Sequence, residues 1–203
     1  MTIHKSWHSR GYLPHCDVPG LLQSITFRLA DSLPGEVLRR LMQEEIDDVS
    51  RHKQIEQLLD TGHGECWLRQ AEVANIVEEA LLHGDGKRYC LLAWCVMPNH
   101  IHVLIETGSD YPVSKIVQGW KSYTARLINQ YLGRSGSVWM RDYFDRYIRD
   151  DRHLAVVIAY IHSNPVKAGL VSHEQDWQHS SARLGLLGAP PGAPTSQSAI
   201  LNE

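Results

Sequence analysis

The chain has 203 residues, 43% of them hydrophobic, and a formal net charge of −3. That length suits one domain with some appendage, and no run of 18 apolar residues suggests a helix crossing a membrane. Cys16, Cys66, Cys90 and Cys95 lack Cys-x-x-Cys spacing and the first residues lack the apolar core of a signal peptide, so the expectation is a cytoplasmic protein with reduced thiols.

Residues 1–20, rich in His, Gly and Pro, read as an extended N-terminal arm. Leu22–Leu29 reads as a first strand. Asp31 or Ser32 can cap a helix with Pro34 early in it, and the helical stretch runs to about Leu59, where Thr61-Gly62-His63-Gly64 breaks it. A further helix covers Arg69–Leu82, ended by Gly84-Asp85-Gly86. Tyr89–Met97 and His100–Glu106 read as an antiparallel hairpin joined by Pro98-Asn99. Val113–Leu132 reads as an amphipathic helix from the recurrence of Ile116, Trp120, Tyr123, Leu127 and Tyr131. Val138–Arg149 is a strand or an extended loop, and Arg152–Ser163 is a helix. Residues 21–184 form the expected domain, and 185–203 read as a disordered tail. The element order suggests a split β-α-β, ferredoxin-like sheet.

Charge is uneven. Residues 112–170 carry nine Lys/Arg against four Asp, whereas residues 36–79 carry eleven acids against five bases. A basic half suggests a polyanionic partner, with ordinary solvated helix faces as the plain alternative. Within it, Lys121, Arg126, Arg141, Arg146 and Arg149 are candidate phosphate contacts, and Trp120, Trp139 and Tyr143 could stack on unpaired bases or fill the core.

His100-Ile101-His102 lies between apolar strand residues. Side chains at i and i+2 share a strand face, so two imidazoles stand side by side with Ile101 turned away. This is half of a metal site, because burying two histidines in a Val/Leu/Ile strand is costly unless something binds them. Two hydrogen-bonded, half-buried histidines are the alternative. Cys90 and Cys95, at odd spacing on one strand, should face opposite ways.

Tyr160 and Asn164 are four apart and would share a helix face. Pro165 disfavours helical geometry at Asn164, so Asn164 could instead end the helix, with Gly169 closing the following turn. His162, two residues after Tyr160, points away from it. Tyr123 is a rival nucleophile, or else packs in the core.

The segments Met97-Pro98-Asn99-His100-Ile101-His102-Val103 and Tyr160-Ile161-His162-Ser163-Asn164-Pro165-Val166-Lys167-Ala168-Gly169, in this order and separation, resemble the REP-associated tyrosine transposases. These belong to the single-tyrosine HUH class of transposases and nucleases, and the likeness runs from about Leu22 to Trp177. The resemblance implies an α+β fold: a ferredoxin-like antiparallel sheet with helices on one face and the HUH motif on a central strand. It implies Mg²⁺ or Mn²⁺ held by His100 and His102, with Asn164 as third ligand and Tyr160 as nucleophile. It further implies cleavage and strand transfer on single-stranded DNA carrying palindromic hairpins, by a monomer or homodimer acting at the bacterial nucleoid. The alternatives are a metal-dependent hydrolase using activated water and a non-catalytic nucleic-acid-binding module. Two features depart from the family. Its Gly-Thr-aromatic motif is replaced by Pro19-Gly20-Leu21-Leu22-Gln23, and the helical insert from Pro34 to about Leu82 has no family role.

Overall fold

The expected strands pair into one sheet in the computed structural model, which describes residues 7–9, 14–16, 18, 20–44 and 46–185. The elements are β1 (Trp7–Ser9), β2 (Pro14–Cys16), β3 (Leu22–Arg28), α1 (Gly35–Gln43), α2 (Asp48–Asp60), α3 (Ala71–His83), β4 (Tyr89–Val96), β5 (His100–Thr107), α4 (Val113–Tyr131), β6 (Phe144–Tyr147) and α5 (Asp151–Lys167). The main sheet is antiparallel in the order β4-β5-β3-β6, so the His-x-His strand is central. The expected extended arm contains a two-stranded ladder of β1 with β2. The tail expected to be disordered lies outside the described residues. None of the described helices is long and apolar enough to cross a membrane.

Register decides what meets what. Ile101 pairs with Phe27 and Val103 with Ile25, and these side chains enter a core with Val73, Val77 and Leu81 of α3 and Ile116, Val117 and Trp120 of α4. His100, His102 and Leu104 point the other way, where Ile158 and Ile161 of α5 pack against Ala93, Cys95, Met97 and Leu104. The expectation of helices on one face is thereby corrected: α3 and α4 cover one face and α5 the other. The cause is visible in β5, which is buried on both sides along nearly its whole length and so needs a layer over each.

Three further local differences have physical causes. The β4–β5 register shifts between Leu91 and Ala93, which leaves Leu92 as a bulge and inverts the alternation beyond it. Cys90 and Cys95 therefore pair with Glu106 and His102 and share one face, against the expectation from odd spacing. Asp31 and Ser32 do not cap α1: the Asp31 carboxylate accepts from the Glu65 amide, and the Ser32 hydroxyl donates to the Leu29 carbonyl. α5 runs through Pro165 to Lys167, although Pro165 has no N–H for the helix ladder, and it closes at Gly169, whose φ is +67°.

The entry to and exit from the α1–α2 region are clasped together. Besides the Asp31–Glu65 bond at 2.9 Å, Gly64 adopts φ +88° and lies so near Asp31 that a Cβ would meet its carbonyl oxygen at 2.7 Å. Only glycine fits there.

The C-terminal segment seals the β4 edge. Val96 donates its N–H to the His179 carbonyl, Cys95 bridges Ser180, and the Trp177 indole donates to the Val96 carbonyl. Beneath it, the buried Glu78 carboxylate of α3 accepts from the Trp94 indole at 3.0 Å and from Arg183 at 3.2 Å, and lies 3.3 Å from His179 Nδ1. Trp120 and Trp139 are core residues: the Trp120 indole donates to the Tyr89 hydroxyl, the Trp139 indole to Thr124, and both rings pack on Phe27. Tyr143 is buried too, so none of these three aromatic side chains is offered to a base.

Gly84 gives a stability test. A Cβ there would meet the Tyr89 ring at 2.5 to 2.6 Å, and that ring cannot swing away because its hydroxyl bonds both the Leu81 carbonyl and Trp120. Gly84→Ala is expected to destabilise the fold by about 1–3 kcal/mol, the usual effect of overpacking. Urea unfolding with an unchanged midpoint would show that the ring yields freely.

Candidate metal and nucleophile site

The site lies on the α5 side of the sheet, where β5 supplies two histidines, α5 supplies Tyr160 and Asn164, and the end of α2 closes over them. His100 and His102 are both 1% exposed, and their Nε2 atoms stand 3.0 Å apart. The outer ring nitrogens are held from behind. Asn99 donates its amide N–H groups to the Leu59 and His63 carbonyls, which leaves its Oδ1 to accept from His100 Nδ1 at 2.8 Å. That fixes the His100 tautomer, with the Nε2 lone pair turned to His102. The Thr26 hydroxyl lies 3.0 Å from His102 Nδ1 and serves either tautomer of that ring. Burial, helped by the Arg28 guanidinium, pushes the His100 pKa down to about 3, so this imidazole is neutral at physiological pH.

Neutral imidazoles with converging nitrogens suit a cation. As the rings stand, their Nε2 atoms share a hydrogen bond, and an ion held by both would replace it. Asn164 supports the same reading. It is fully buried, and its amide oxygen has no hydrogen-bond partner, which is costly unless a ligand is bound. No group of three or more His, Cys, Asp or Glu side chains able to hold a metal forms among the described residues. On β5 and α5 the candidate donors are two imidazoles and one amide.

The helix that continues through Pro165 keeps Tyr160 and Asn164 one turn apart on a shared face. The Tyr160 ring meets the His102 ring edge-on, with centroids 5.5 Å apart, and Lys167 Nζ lies 4.6 Å from the Tyr160 centroid. The phenol is held far above its ordinary pKa. Burial is the largest cause, followed by the charge of the Glu56 carboxylate and the hydrogen bond it accepts from the phenol, and then by the charge of Asp60; a hydrogen bond donated by the Asn164 amide works the other way.

Glu56 and Asp60 are the residues that sequence reasoning missed. They lie one turn apart on α2, inside the insert with no assigned role. Asp60 Oδ1 is 3.8 Å from His100 Nε2, and burial, with Glu56 nearby, raises its pKa to about 6 against the pull of Lys167. The helical i, i+4 spacing was readable; the approach of α2 to the histidines, some forty residues away in sequence, was not.

The remaining candidates separate. His162 turns away from Tyr160 and pairs with Ser181 at 2.8 Å. Tyr123 is 50% exposed on α4, across the sheet, with Arg126 5.6 Å over its ring, and so neither lines this site nor fills the core. Lys121 holds a loop: its ammonium donates to the Arg141 and Asp142 carbonyls, and burial pushes its pKa down to about 8. Arg141 is exposed on that loop. Arg146 pairs with Ser24 in register, which puts it on the histidine face at the sheet edge, and it and Arg149 are exposed. The five cations thus fall into three places, of which only the Arg146–Arg149 edge shares the histidine face.

Comparison with known proteins adds to this geometry. Residues 69–164 match the family described as Transposase IS200 like. A curated relative from Haemophilus influenzae, named as a REP-associated tyrosine transposase, is 34% identical over 101 residues, which cover 44% of this chain and 57% of that protein. The chain thus spans somewhat over half the length of the curated relative it matches. The solved structure of a REP-associated tyrosine transposase bound to a REP hairpin superposes with a TM-score of 0.53 at 18% identity, covering 93% of this chain and 94% of that one. At that identity the likeness concerns the fold.

Proposed function

We propose that this chain, whose residues 69–164 match the family described as Transposase IS200 like, cleaves and rejoins single-stranded DNA at hairpin elements through a 5′-phosphotyrosine formed on Tyr160. The observation that carries this reading is the Tyr160 ring standing against His102, with the buried, unpartnered amide oxygen of Asn164 one turn further along the same helix. A phenol with an ordinary pKa near 10 is a poor nucleophile at neutral pH, and burial here makes it a worse acid still. Attack therefore needs the proton to leave as the bond to phosphorus forms.

His100, His102 and Asn164 would hold Mg²⁺ or Mn²⁺. Such an ion supplies Lewis-acid polarisation of the scissile phosphate. The chain's own groups do the rest. Asn99 and Thr26 orient the imidazoles, α5 aims the phenol, and Lys167 sets a positive charge beside the ring. Arg146 and Arg149 are exposed on the histidine side and suit backbone phosphates. A hairpin substrate is inferred from the solved relative bound to one.

Covalent trapping tests the reading. A single-stranded hairpin labelled on the 3′ side of the cut should carry its label into a protein adduct, and a label on the 5′ side should leave with a free 3′ hydroxyl. Cleavage that yields two free DNA ends and no adduct would instead support hydrolysis by activated water. Binding without cleavage would leave a nucleic-acid-binding module.

Thr26→Val keeps the shape of the side chain but removes the partner of His102 Nδ1. It is expected to weaken divalent-ion affinity roughly 10–100-fold, as loss of the group behind a liganding histidine does. Unchanged Mn²⁺ affinity in calorimetry would dissociate Thr26 from the ion site.

A further inference from the structure

We propose that α2 is part of the active site, with Asp60 as a ligand of the divalent ion and Glu56 as the acceptor of the Tyr160 proton. This rests on the function proposed above and extends it to a helix that precedes the family-matched segment.

The geometry is two pairs of side chains, one on each of two helices. α5 presents Tyr160 and Asn164 at i, i+4, and α2 presents Glu56 and Asp60 at the same spacing. Glu56 accepts the hydrogen bond of the Tyr160 phenol, and Asp60 lies 3.8 Å from the His100 nitrogen that faces His102. A cation between the imidazole nitrogen and the carboxylate would be held by both. A small cavity of about 130 Å³ opens beside Asp60 and His100; at 3.8 Å Asp60 stands outside a closed group with the two histidines, and a movement of under about 1 Å brings it to a neighbouring-ligand spacing. The buried amide oxygen of Asn164, which accepts no hydrogen bond, independently points to a cation here.

The approach of α2 is compatible with chemistry. A hard divalent ion favours carboxylate oxygen, and two imidazoles with one amide leave it without any anionic protein ligand. Asp60 supplies that charge. For Glu56 the step balances as follows. The Tyr160 oxygen forms a bond to phosphorus and the bond from phosphorus to the 3′ oxygen breaks. The phenolic proton passes to the Glu56 carboxylate, and the departing 3′ oxygen takes a proton from solvent as Glu56 returns to its ionised form. Rejoining reverses these transfers.

The two carboxylates give separable signatures. Full-length protein without DNA is titrated with Mn²⁺, and free ion is read by electron paramagnetic resonance. Asp60→Asn should bind Mn²⁺ at least tenfold more weakly than wild type, whereas Glu56→Gln should stay within twofold. Asp60→Cys should recover binding of thiophilic Cd²⁺ at least tenfold over Asp60→Asn, which a merely misfolded variant would not do. On a labelled hairpin with saturating Mn²⁺, Glu56→Gln should slow adduct formation roughly 100-fold or more, as loss of a general base does. Mn²⁺ affinity within twofold of wild type in Asp60→Asn, or adduct formation within threefold of wild type in Glu56→Gln, would overturn the proposal. If wild-type protein forms no adduct at all, the proposed function fails, while the Mn²⁺ and Cd²⁺ titrations still decide Asp60.

Discussion

Tyr160→Phe is expected to abolish the protein–DNA adduct, lowering its rate of formation at least about a thousandfold, as removal of a nucleophile does. The substitution is conservative for everything else. The ring keeps its edge-on packing against His102 and its place under Lys167. It loses the hydroxyl with its bonds to Glu56 and Asn164, so folding stability should change by about 1 kcal/mol. Hairpin affinity, measured by titration in the same buffer, should stay within a few-fold. Tyr123→Phe, on the exposed far side of α4, should leave the adduct at wild-type level. An adduct that survives in Tyr160→Phe and disappears in Tyr123→Phe would reassign the nucleophile. Continued cleavage without an adduct in either variant would move the chemistry to a water molecule.

The largest effect on stability is expected at Glu78. This carboxylate is 6% exposed and holds three elements together through Trp94, His179 and Arg183. Burial alone would push its pKa up, but hydrogen bonds from His179, Trp94 and Arg183, with the charge of Arg183, outweigh burial and hold it below the ordinary carboxylate value. Glu78→Gln strands the Arg183 charge and leaves one donor without its acceptor, and should cost roughly 3 kcal/mol, at the lower end of the range for breaking a buried charged network, because Arg183 is partly exposed. The sign with pH follows from the depressed pKa. The contribution is complete above the unfolded-state pKa, about 4.3 for glutamate, and is lost as pH falls through the lower folded-state value. The gap between wild type and Glu78→Gln should therefore be widest near neutrality and narrow in acid. Urea midpoints that coincide at pH 7 would remove Glu78 from the account of stability.

The parts legible in the sequence were those governed by local period. Alternation and apolar runs located β3, β4 and β5, and the i, i+2 rule set His100 and His102 on one face. The spacing of Tyr160 and Asn164 gave the shared helix face, while local rules alone left Pro165 ambiguous. Tertiary packing decided that case, because α5 is clamped over Ala93, Cys95 and Leu104 and does not break at the proline. The bulge at Leu92 left no mark in a plain apolar run, so the faces of Cys90 and Cys95 were misread. Trp120 and Trp139 carry the same residue chemistry whether they stack on bases or fill a core; only their burial against Phe27 distinguishes the two. Glu56 and Asp60 belong to a segment whose acidity reads as solvated surface, and nothing local reveals that it crosses the sheet to meet the histidines.

The clasp between Asp31 and Glu65, with Gly64 pressed against the Asp31 carbonyl, has a consequence for how such a protein could diversify. Because the backbone leaves and returns at nearly one point, residues 34–62 form an excursion whose ends are already joined. The entropy of closing a loop grows only slowly with its length, so this excursion can be lengthened, shortened or exchanged without moving a strand. Grafting a different helical pair between Leu33 and His63 should leave the β4-β5-β3-β6 sheet intact and change what stands over Tyr160. The molecule thereby keeps inheritance of its scaffold apart from novelty at its mouth.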